Sequence, residues 1–236
     1  MIRLFPRSPV LRPAGFGLCL AVLAAGGAGA PQASTSYPAF VMPAGCELIV
    51  TTQYSDCSAQ VAYSCAGSDP GVRHLANIYA DGLGYMSSVD ATYTWIDGLN
   101  LADGSYEVTQ FPVLDPIDTD NLQAAGIDAF SLVRTVRETG ATLRFNGYDW
   151  LTGFDTEIDG VRLLETTFHV RAVAEDGSIF YEAEGTEFLD PDLGLFHQGR
   201  TWYDGNTEEV WATAPVEFDF PGEPAAADFT PRFGCE

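Results

Sequence analysis

Residues 161–174 read VRLLETTFHVRAVA, and their side chains alternate in character along the segment. One face carries the apolar set Leu164, Phe168, Val170, Ala172 and Ala174, and the other carries Glu165, Thr167, His169 and Arg171. A period of two over this length predicts a β-strand. One side of that strand packs on a core, and the other faces water or lines a cavity.

Pairs of Asp or Asn with Gly divide the chain after residue 80 into short segments. They are Asp81-Gly82, Asp97-Gly98, Asp103-Gly104, Asn146-Gly147, Asp159-Gly160, Asp176-Gly177 and Asp204-Gly205. Such pairs are typical of tight hairpin turns, because glycine adopts positive φ angles at no steric cost. The β-branched and aromatic segments between them predict strands at residues 88–95, 105–111, 130–138, 142–145, 161–174, 178–188, 195–203 and 208–212.

This pattern predicts a mainly β fold, a single-domain antiparallel β meander that closes as a barrel, a half-barrel or a sandwich. One or two short helices accompany it. The better candidate covers residues 119–127, with Asp118 as its N-cap and Gly126 limiting its length. A second is predicted near residues 72–79. No linker or repeat divides residues 34–236, so we expect them to form one domain.

Four cysteines follow the first 33 residues, an even number that predicts two disulfides in an exported chain. A hairpin that turns at Ser55-Asp56 places Cys46 opposite Cys65 and leaves Cys57 to pair with Cys235. The second bridge would tie the C-terminal tail to the hairpin. The cysteine spacing lacks the close pair that is typical of zinc sites, and no motif for a metal or a cofactor is present.

The first 33 residues predict a cleaved bacterial signal peptide of the Sec type. Arg3, Arg7 and Arg12 precede an uncharged stretch, and small residues follow it, with cleavage after Ala30 or after Ala33. The apolar run of about 12 residues is shorter than the roughly 20 that a membrane span needs. We therefore expect a periplasmic or secreted protein whose mature chain has no transmembrane segment.

The excess of acidic over basic residues limits the classes of molecule that the protein can bind. The chain has 33 acidic residues and 11 basic ones, all arginine, and three of those arginines precede residue 13. Because no acidic residue precedes Glu47, the chain after residue 33 has a net charge of −25. Such a field repels the phosphates of nucleic acids and anionic lipids, so neither is an expected partner. Mutual repulsion also favours a monomer.

The favoured interpretation is a protein that binds a small or hydrophobic ligand, or a cell-envelope partner, without catalysis. The residues predicted to line its cavity are Trp150, Phe168, Val170, Tyr181 and Trp202. A sugar is an alternative ligand, because aromatic rings stand beside carboxylates at Tyr148-Asp149-Trp150 and at Trp202-Tyr203-Asp204, and Tyr93 lies close to Trp95.

Two other classes of function stay open. One is a secreted, glycosidase-like hydrolase that uses carboxylates such as Glu182, Glu184 or Asp149 as acid and base; it predicts two facing carboxyl groups, one with a raised pKa. The other is an envelope interaction protein without a pocket, which predicts an exposed apolar patch or an uncovered edge strand. A serine hydrolase of the α/β type is not indicated, because the GxSxG motif is missing.

Overall fold

A computed structural model describes residues 37–235, which form one antiparallel sheet of 13 strands and one short helix. The predicted mainly β meander is confirmed. The predicted signal peptide lies outside the described residues. Within 37–235, no helix has both the length and the apolar composition that crossing a membrane requires.

The strands follow one another along the chain with short connections. They are Cys46–Tyr54 (β1), Ser58–Cys65 (β2), Arg73–Tyr79 (β3), Gly82–Val89 (β4), Trp95–Asn100 (β5), Tyr106–Thr109 (β6), Ile127–Val136 (β7), Thr142–Ile158 (β8), Val161–Ala174 (β9), Ile179–Asp190 (β10), Leu195–Tyr203 (β11), Trp211–Ala212 (β12) and Pro215–Asp219 (β13). The helix α1, Thr119–Ala125, lies between β6 and β7.

The sheet is a meander whose last segment returns to its first strand. Strands β1 to β12 are neighbours in chain order, whereas β13 pairs with the free edge of β1. No ladder joins β1 to β11 among the described strands, so the sheet is not a closed barrel. The Tyr54 hydroxyl of β1 nevertheless lies 3.3 Å from Nδ1 of His197 on β11. The sheet is therefore curled like a half-barrel.

The main core fills the inner face of this curled sheet, and a second apolar cluster covers the outer face of β2 to β4. In the second cluster Phe40 packs against Tyr63 and Phe229, with ring centroids 5.7 and 5.2 Å apart. Strand β3 is consequently buried on both faces. The helix predicted at residues 72–79 is wrong, because a strand buried on both faces loses the period-two alternation that identifies it in a sequence.

The strand predicted at residues 88–95 is interrupted by a turn. The carboxylate of Asp90 accepts hydrogen bonds from the backbone N–H groups of Thr92 and Thr94. This Asx-type turn ends β4 and starts β5 in a new direction. The turn points into the molecule, since Thr94 is fully buried and Tyr93 nearly so.

Two of the seven predicted turn pairs, Asp97-Gly98 and Asn146-Gly147, lie inside strands instead, in β5 and β8. The strand predicted at residues 142–145 accordingly continues to Ile158. A glycine inside a strand often marks a close approach by another group. At Gly98 that group is the Tyr85 hydroxyl, which would lie 2.1 Å from an added Cβ.

Helix α1 has the predicted ends. The Asp118 carboxylate accepts hydrogen bonds from the backbone N–H groups of Asp120 and Asn121, at 2.9 and 3.0 Å, as an N-cap does. Gly126 terminates the helix with a φ of 80°. Just before the helix, the carbonyl of Ile117 accepts a hydrogen bond from the buried Thr94 hydroxyl. The helix and the 90–94 turn thus lie over the same end of the sheet.

Arg73 joins loops from two distant parts of the sheet at this end. Its guanidinium donates to the carbonyls of Leu193 and Gly194 after β10, and to those of Asp90 and Ala91 after β4. Burial lowers the pKa of Arg73. These contacts hold the β4–β5 turn against the β10–β11 turn, so one end of the half-barrel is capped.

Two disulfides are present, Cys46–Cys65 and Cys57–Cys235, which is the connectivity that the hairpin geometry favours. A bulge between Leu48 and Val50 shifts the register of the hairpin, but it leaves Cys46 opposite Cys65. Disulfides persist in oxidising environments, so the bonds indicate an exported compartment.

Candidate functional site

Charged residues occur at positions where the strand pattern calls for apolar ones. In β10 the inward residues include Tyr181, Ala183, Gly185 and Leu189, and Glu187 shares their face. By the same alternation Glu107 of β6, Asp128 and Arg134 of β7, and Asp149 of β8 are buried. Buried charges are costly unless they are paired with an opposite charge or accept hydrogen bonds.

Three of these five charges have partners. Glu107 and Arg134 form a buried ion pair with an N–O distance of 2.8 Å. Asp128 accepts hydrogen bonds from the backbone N–H of Asp118 and from the side-chain amide of Asn121, at 2.9 and 3.0 Å. These groups therefore have structural roles, in the core and at the start of α1.

The other two buried charged residues, Asp149 and Glu187, have no protein partner among the described residues. Asp149 is 7% exposed and Glu187 is 9% exposed. Across residues 37–235, no hydrogen bond or ion pair reaches either carboxylate, whereas the other buried carboxylates, those of Asp190 and Asp219 included, accept hydrogen bonds or pair with arginine. Burial, then the charge of Glu187, raises the pKa of Asp149 well above its ordinary value; burial also raises the pKa of Glu187.

Both carboxylates face a small cavity inside the capped end of the half-barrel. It is lined by Tyr93, Trp95, Ile117, Phe130, Asp149, Phe168, His169, Val170, Glu187 and Phe196. The empty space among these residues is about 320 Å³ including the part that meets solvent, and the space open to the centre of a water molecule is about 30 Å³. Because roughly 10–15 Å³ by the latter measure admits one water, the cavity has room for a group of a few heavy atoms.

Tyr93 lines the cavity from a backbone conformation that side chains of its size rarely adopt. Its φ of 79° lies in the left-handed region, where a bulky residue costs of order 1–3 kcal/mol. The Asp90 turn holds it there, because the Tyr93 N–H donates to the Asp90 carbonyl. Its ring packs edge-on against Phe196, with centroids 5.0 Å apart. The strained turn thus places an aromatic ring beside the two carboxylates.

Two glycines make room for the other aromatic walls. A Cβ on Gly147 would lie 2.4 Å from the Phe130 ring, and one on Gly185 would lie 2.7 Å from the Phe168 ring. Real Cβ atoms do not approach other atoms so closely, so each ring occupies the space that a side chain would otherwise fill.

The structure brings two of the five predicted cavity residues together, Phe168 and Val170. Trp150 is 58% exposed and lies on the face of β8 opposite to Asp149. Tyr181 is buried in the core, where its ring packs 6.0 Å from that of Phe145. Trp202 is partly exposed and pairs with Glu184 across β10 and β11.

The strand alternation also separates the aromatic–carboxylate groups that suggested a sugar site. Asp149 points inward, whereas Tyr148 and Trp150 point outward and are exposed. Tyr93 and Trp95, however, line the same cavity as Asp149. The aromatic neighbours of this carboxylate therefore come from a distant turn and strand, and not from the residues beside it in sequence.

Of the carboxylates considered for a hydrolase, Asp149 alone lines the cavity. Glu182 lies on the outer face of β10 and accepts hydrogen bonds from Arg171 and His169, each at 2.6 Å. These hydrogen bonds, that of Arg171 first, lower the pKa of Glu182. Glu184 lies on the same outer face.

Glu187 is the functional candidate that sequence reasoning missed. Its signal was present, because Glu187 falls in register with the apolar residues of the strand, as Asp149 falls in register with Leu143 and Phe145. A charged residue on the apolar face of a predicted strand is a sharper sign of a site than an aromatic residue beside a carboxylate.

Two wider grooves on the surface lack comparable chemistry. One lies between the segment around Phe40 and the C-terminal tail around Phe229, and the other lies along Glu217 and Asp219. Their empty spaces are about 680 and 770 Å³ including open solvent. Of the acidic side chains of the second groove, Glu217 and Asp219 pair with Arg232, and Asp159 and Glu223 accept hydrogen bonds from backbone N–H groups. The small cavity is therefore the stronger candidate.

The cavity combines negative charge with aromatic surface in a place largely shielded from water. Within residues 37–235 no three His, Cys, Asp or Glu side chains gather closely enough to hold a metal ion. The site can hold a proton on its carboxyl pair, or a group that carries positive charge. Comparison of the chain with protein-family models, with curated proteins and with solved structures finds no match.

Proposed function

We propose that the mature chain is an exported protein that binds a small ligand in the cavity between Asp149 and Glu187. The observation that carries the proposal is that these two buried carboxylates have no protein partner among the described residues while lining an open space. A protein gains no stability from such groups, so their presence is explained best by something that enters the cavity.

The compartment and the scaffold support this proposal. The N-terminal pattern predicts export to the periplasm or the medium, and the two disulfides agree with an oxidising environment. The capped end of the half-barrel is held by Arg73 and by α1, so the cavity walls are supported by fixed elements. A preformed site of this kind binds without a large ordering cost.

The size of the cavity limits the ligand. The space open to the centre of a water molecule, about 30 Å³, is well below the roughly 300–1,000 Å³ of sites that enclose a whole small molecule. The ligand, or the part of it that enters, is accordingly a small group. A complete pyranose ring or a lipid chain fits poorly.

Native mass spectrometry of the protein purified from its export compartment tests the proposal. We expect a bound species that is lost on denaturation and in the variants Asp149→Asn and Glu187→Gln. Glu184→Gln is the matched control, because Glu184 lies on the same strand but on its outer face. The proposal fails if the protein is empty and no cationic, neutral or anionic small molecule raises its melting temperature.

The same carboxyl pair also favours a second candidate, the carboxylate-dependent hydrolase. Because the pKa values of Asp149 and Glu187 are both raised, the pair can retain a proton where ordinary carboxyl groups are ionised. One protonated and one ionised carboxyl group are the components of general acid–base hydrolysis.

Hydrolysis of p-nitrophenyl glycosides and p-nitrophenyl acetate distinguishes the two candidates. The binding proposal expects no turnover above that of buffer. Turnover that is lost in Asp149→Asn and in Glu187→Gln but retained in Glu184→Gln would establish the hydrolase instead.

A further inference from the structure

We infer that the ligand of the cavity is a small organic cation, which inserts an ammonium or methylated ammonium group between Asp149 and Glu187. This inference rests on the proposed function and specifies the class of its ligand. It is supported by the walls of the cavity, by its charge and by the positions of the arginines around it.

The walls are those of an aromatic cage. Tyr93, Trp95, Phe130, Phe168 and Phe196 all line the cavity. The faces of aromatic rings are negative and attract a cation within about 6 Å, with a gain that grows when the cation leaves water. Tyr93 reaches the cavity from a strained φ, and the absence of a side chain at Gly185 leaves space for the Phe168 ring.

No positively charged side chain among the described residues pairs with Asp149 or Glu187. Arg134, which lies on the inner face, is already paired with Glu107 at 2.8 Å. Arg73, at the cap, donates to four backbone carbonyls. With both arginines engaged elsewhere, a ligand that brings its own positive charge is the natural complement of the carboxyl pair.

Other ligand classes match the cavity less well. An anion would be repelled by the two carboxylates. A neutral apolar molecule would displace water from the two carboxylates and give them no partner in exchange. A hard metal ion needs six or more oxygen ligands or several waters, and most of the lining is hydrocarbon. An ammonium group uses both the rings and the carboxylates.

Isothermal titration calorimetry with matched ligands tests the inference on the unmodified protein. The probes are ammonium, methylammonium, tetramethylammonium and choline, with 3,3-dimethylbutan-1-ol as the neutral isostere of choline. We expect at least one of the cations to bind, and the best cation to bind about 10-fold or more tighter than the neutral isostere, a difference of about 1.4 kcal/mol. The variants Asp149→Asn and Glu187→Gln should each bind the best cation with about 10-fold lower affinity than the unmodified protein. Glu184→Gln should bind it with unchanged affinity.

Proton release provides a second readout. The ionisable side chains around the pair are those of Asp128 on β7, His169 on β9, Tyr93 on the β4–β5 turn and Tyr54 on β1, and Arg73 interacts with Tyr93. Because burial raises the pKa of both carboxyl groups, a cation that enters should displace a proton from them. The apparent binding enthalpy should then differ between buffers of different ionisation enthalpy, and the difference should shrink in Asp149→Asn.

The possible failures are distinguishable. If the neutral isostere binds as tightly as the cations, or if a neutral or anionic molecule binds and no cation does, the cation inference is overturned and the binding function stands. If the cations bind but both carboxyl variants bind them equally well, the site is elsewhere and the inference is also overturned. If nothing binds and the purified protein is empty, the proposed function itself is wrong.

Discussion

Asp149 and Glu187 are the residues at which the needs of folding and of binding conflict. Their burial is unfavourable in the free protein, because a carboxylate that is largely removed from water and has no protein partner is poorly stabilised in its ionised form. Glu107 shows the alternative, since Arg134 lies 2.8 Å from it. The two unpaired carboxyl groups therefore lower the stability of the protein but provide a binding site.

Replacement of Asp149 or Glu187 by its uncharged amide should stabilise the ligand-free protein. We expect Asp149→Asn, and to a similar degree Glu187→Gln, to raise the free energy of unfolding at pH 8 by about 1–2 kcal/mol and the melting temperature by about 2–8 °C. Because the folded-state pKa values are raised, the wild type loses stability as the pH rises from about 4 through those values, and each variant lacks the part of this loss that its own carboxyl group contributes.

Urea unfolding at pH 4 and at pH 8 measures this effect. The difference between variant and wild type should be small at pH 4 and larger at pH 8, and contributions shared by both proteins, such as that of the buried His197, cancel. A destabilised variant at pH 8, or a difference that is the same at both pH values, would show that the carboxyl groups are paired in the free protein.

At the scale of the strand, glycine explains both a wrong prediction and the shape of the site. Asn146-Gly147 predicts a turn by its composition, yet it continues β8. The reason lies in the partner strands, since the Phe130 ring and the His169 carbonyl would lie 2.4 and 2.5 Å from a Cβ on Gly147. Gly185 of β10 has the same role for Phe168. A sequence pattern does not distinguish such a glycine from a turn glycine.

Gly185→Ala should therefore be costly, although it adds only one methyl group. The new Cβ would lie 1.9 Å from the carbonyl oxygen of Arg200, which is backbone of the neighbouring strand. We expect a loss of about 3 kcal/mol in the free energy of unfolding, at the upper end of the range for overpacking. Gly67→Ala is the control, because nothing lies within 4 Å of its Cβ, and it should change stability by less than about 0.5 kcal/mol.

Chemical denaturation of both variants measures the contrast. Equal stabilities for the two would mean that β10 and β11 separate easily at Gly185, and the idea that this strand pair supports the Phe168 wall would be wrong.

At the scale of the whole molecule, the C-terminal tail locks the half-barrel. Arg232 pairs with Glu217 and Asp219 of β13, and its N–H donates to the side chain of Gln53 on β1. The Cys57–Cys235 bond then closes a loop of 178 residues, against 19 for Cys46–Cys65. The long loop encloses nearly the entire sheet, so this bond restricts the unfolded chain most strongly.

The two disulfides should consequently differ in their contributions to stability. In the chain-entropy model the long loop contributes roughly 5 kcal/mol and the short one roughly 3 kcal/mol. We expect the double variant Cys57→Ser/Cys235→Ser to lose about 2 kcal/mol more than Cys46→Ser/Cys65→Ser, measured by urea unfolding of each. A larger loss from the short loop would indicate that contacts of the native hairpin, and not loop closure, decide the effect.

The sequence by itself determined the features that depend on neighbouring residues. Alternation identified β9 with its observed bounds, Asp118 and Gly126 identified the two ends of α1, and hairpin geometry favoured the two disulfides in the structure. These features can be predicted from the sequence because side-chain alternation, helix capping and hairpin pairing act over a few residues along the chain.

The tertiary structure alone decided which strands are covered on both faces and which distant side chains meet. Strand β3 is covered on its outer face by the cluster that includes Phe40 and Phe229, and Gly147 lies within β8, where the absence of a side chain leaves space for the Phe130 ring of β7. Asp149 and Glu187 lie on non-adjacent strands, and the curl of the sheet and its cap bring them to one cavity with Tyr93. Contacts of this kind depend on the packing of the whole sheet, and no local pattern encodes them.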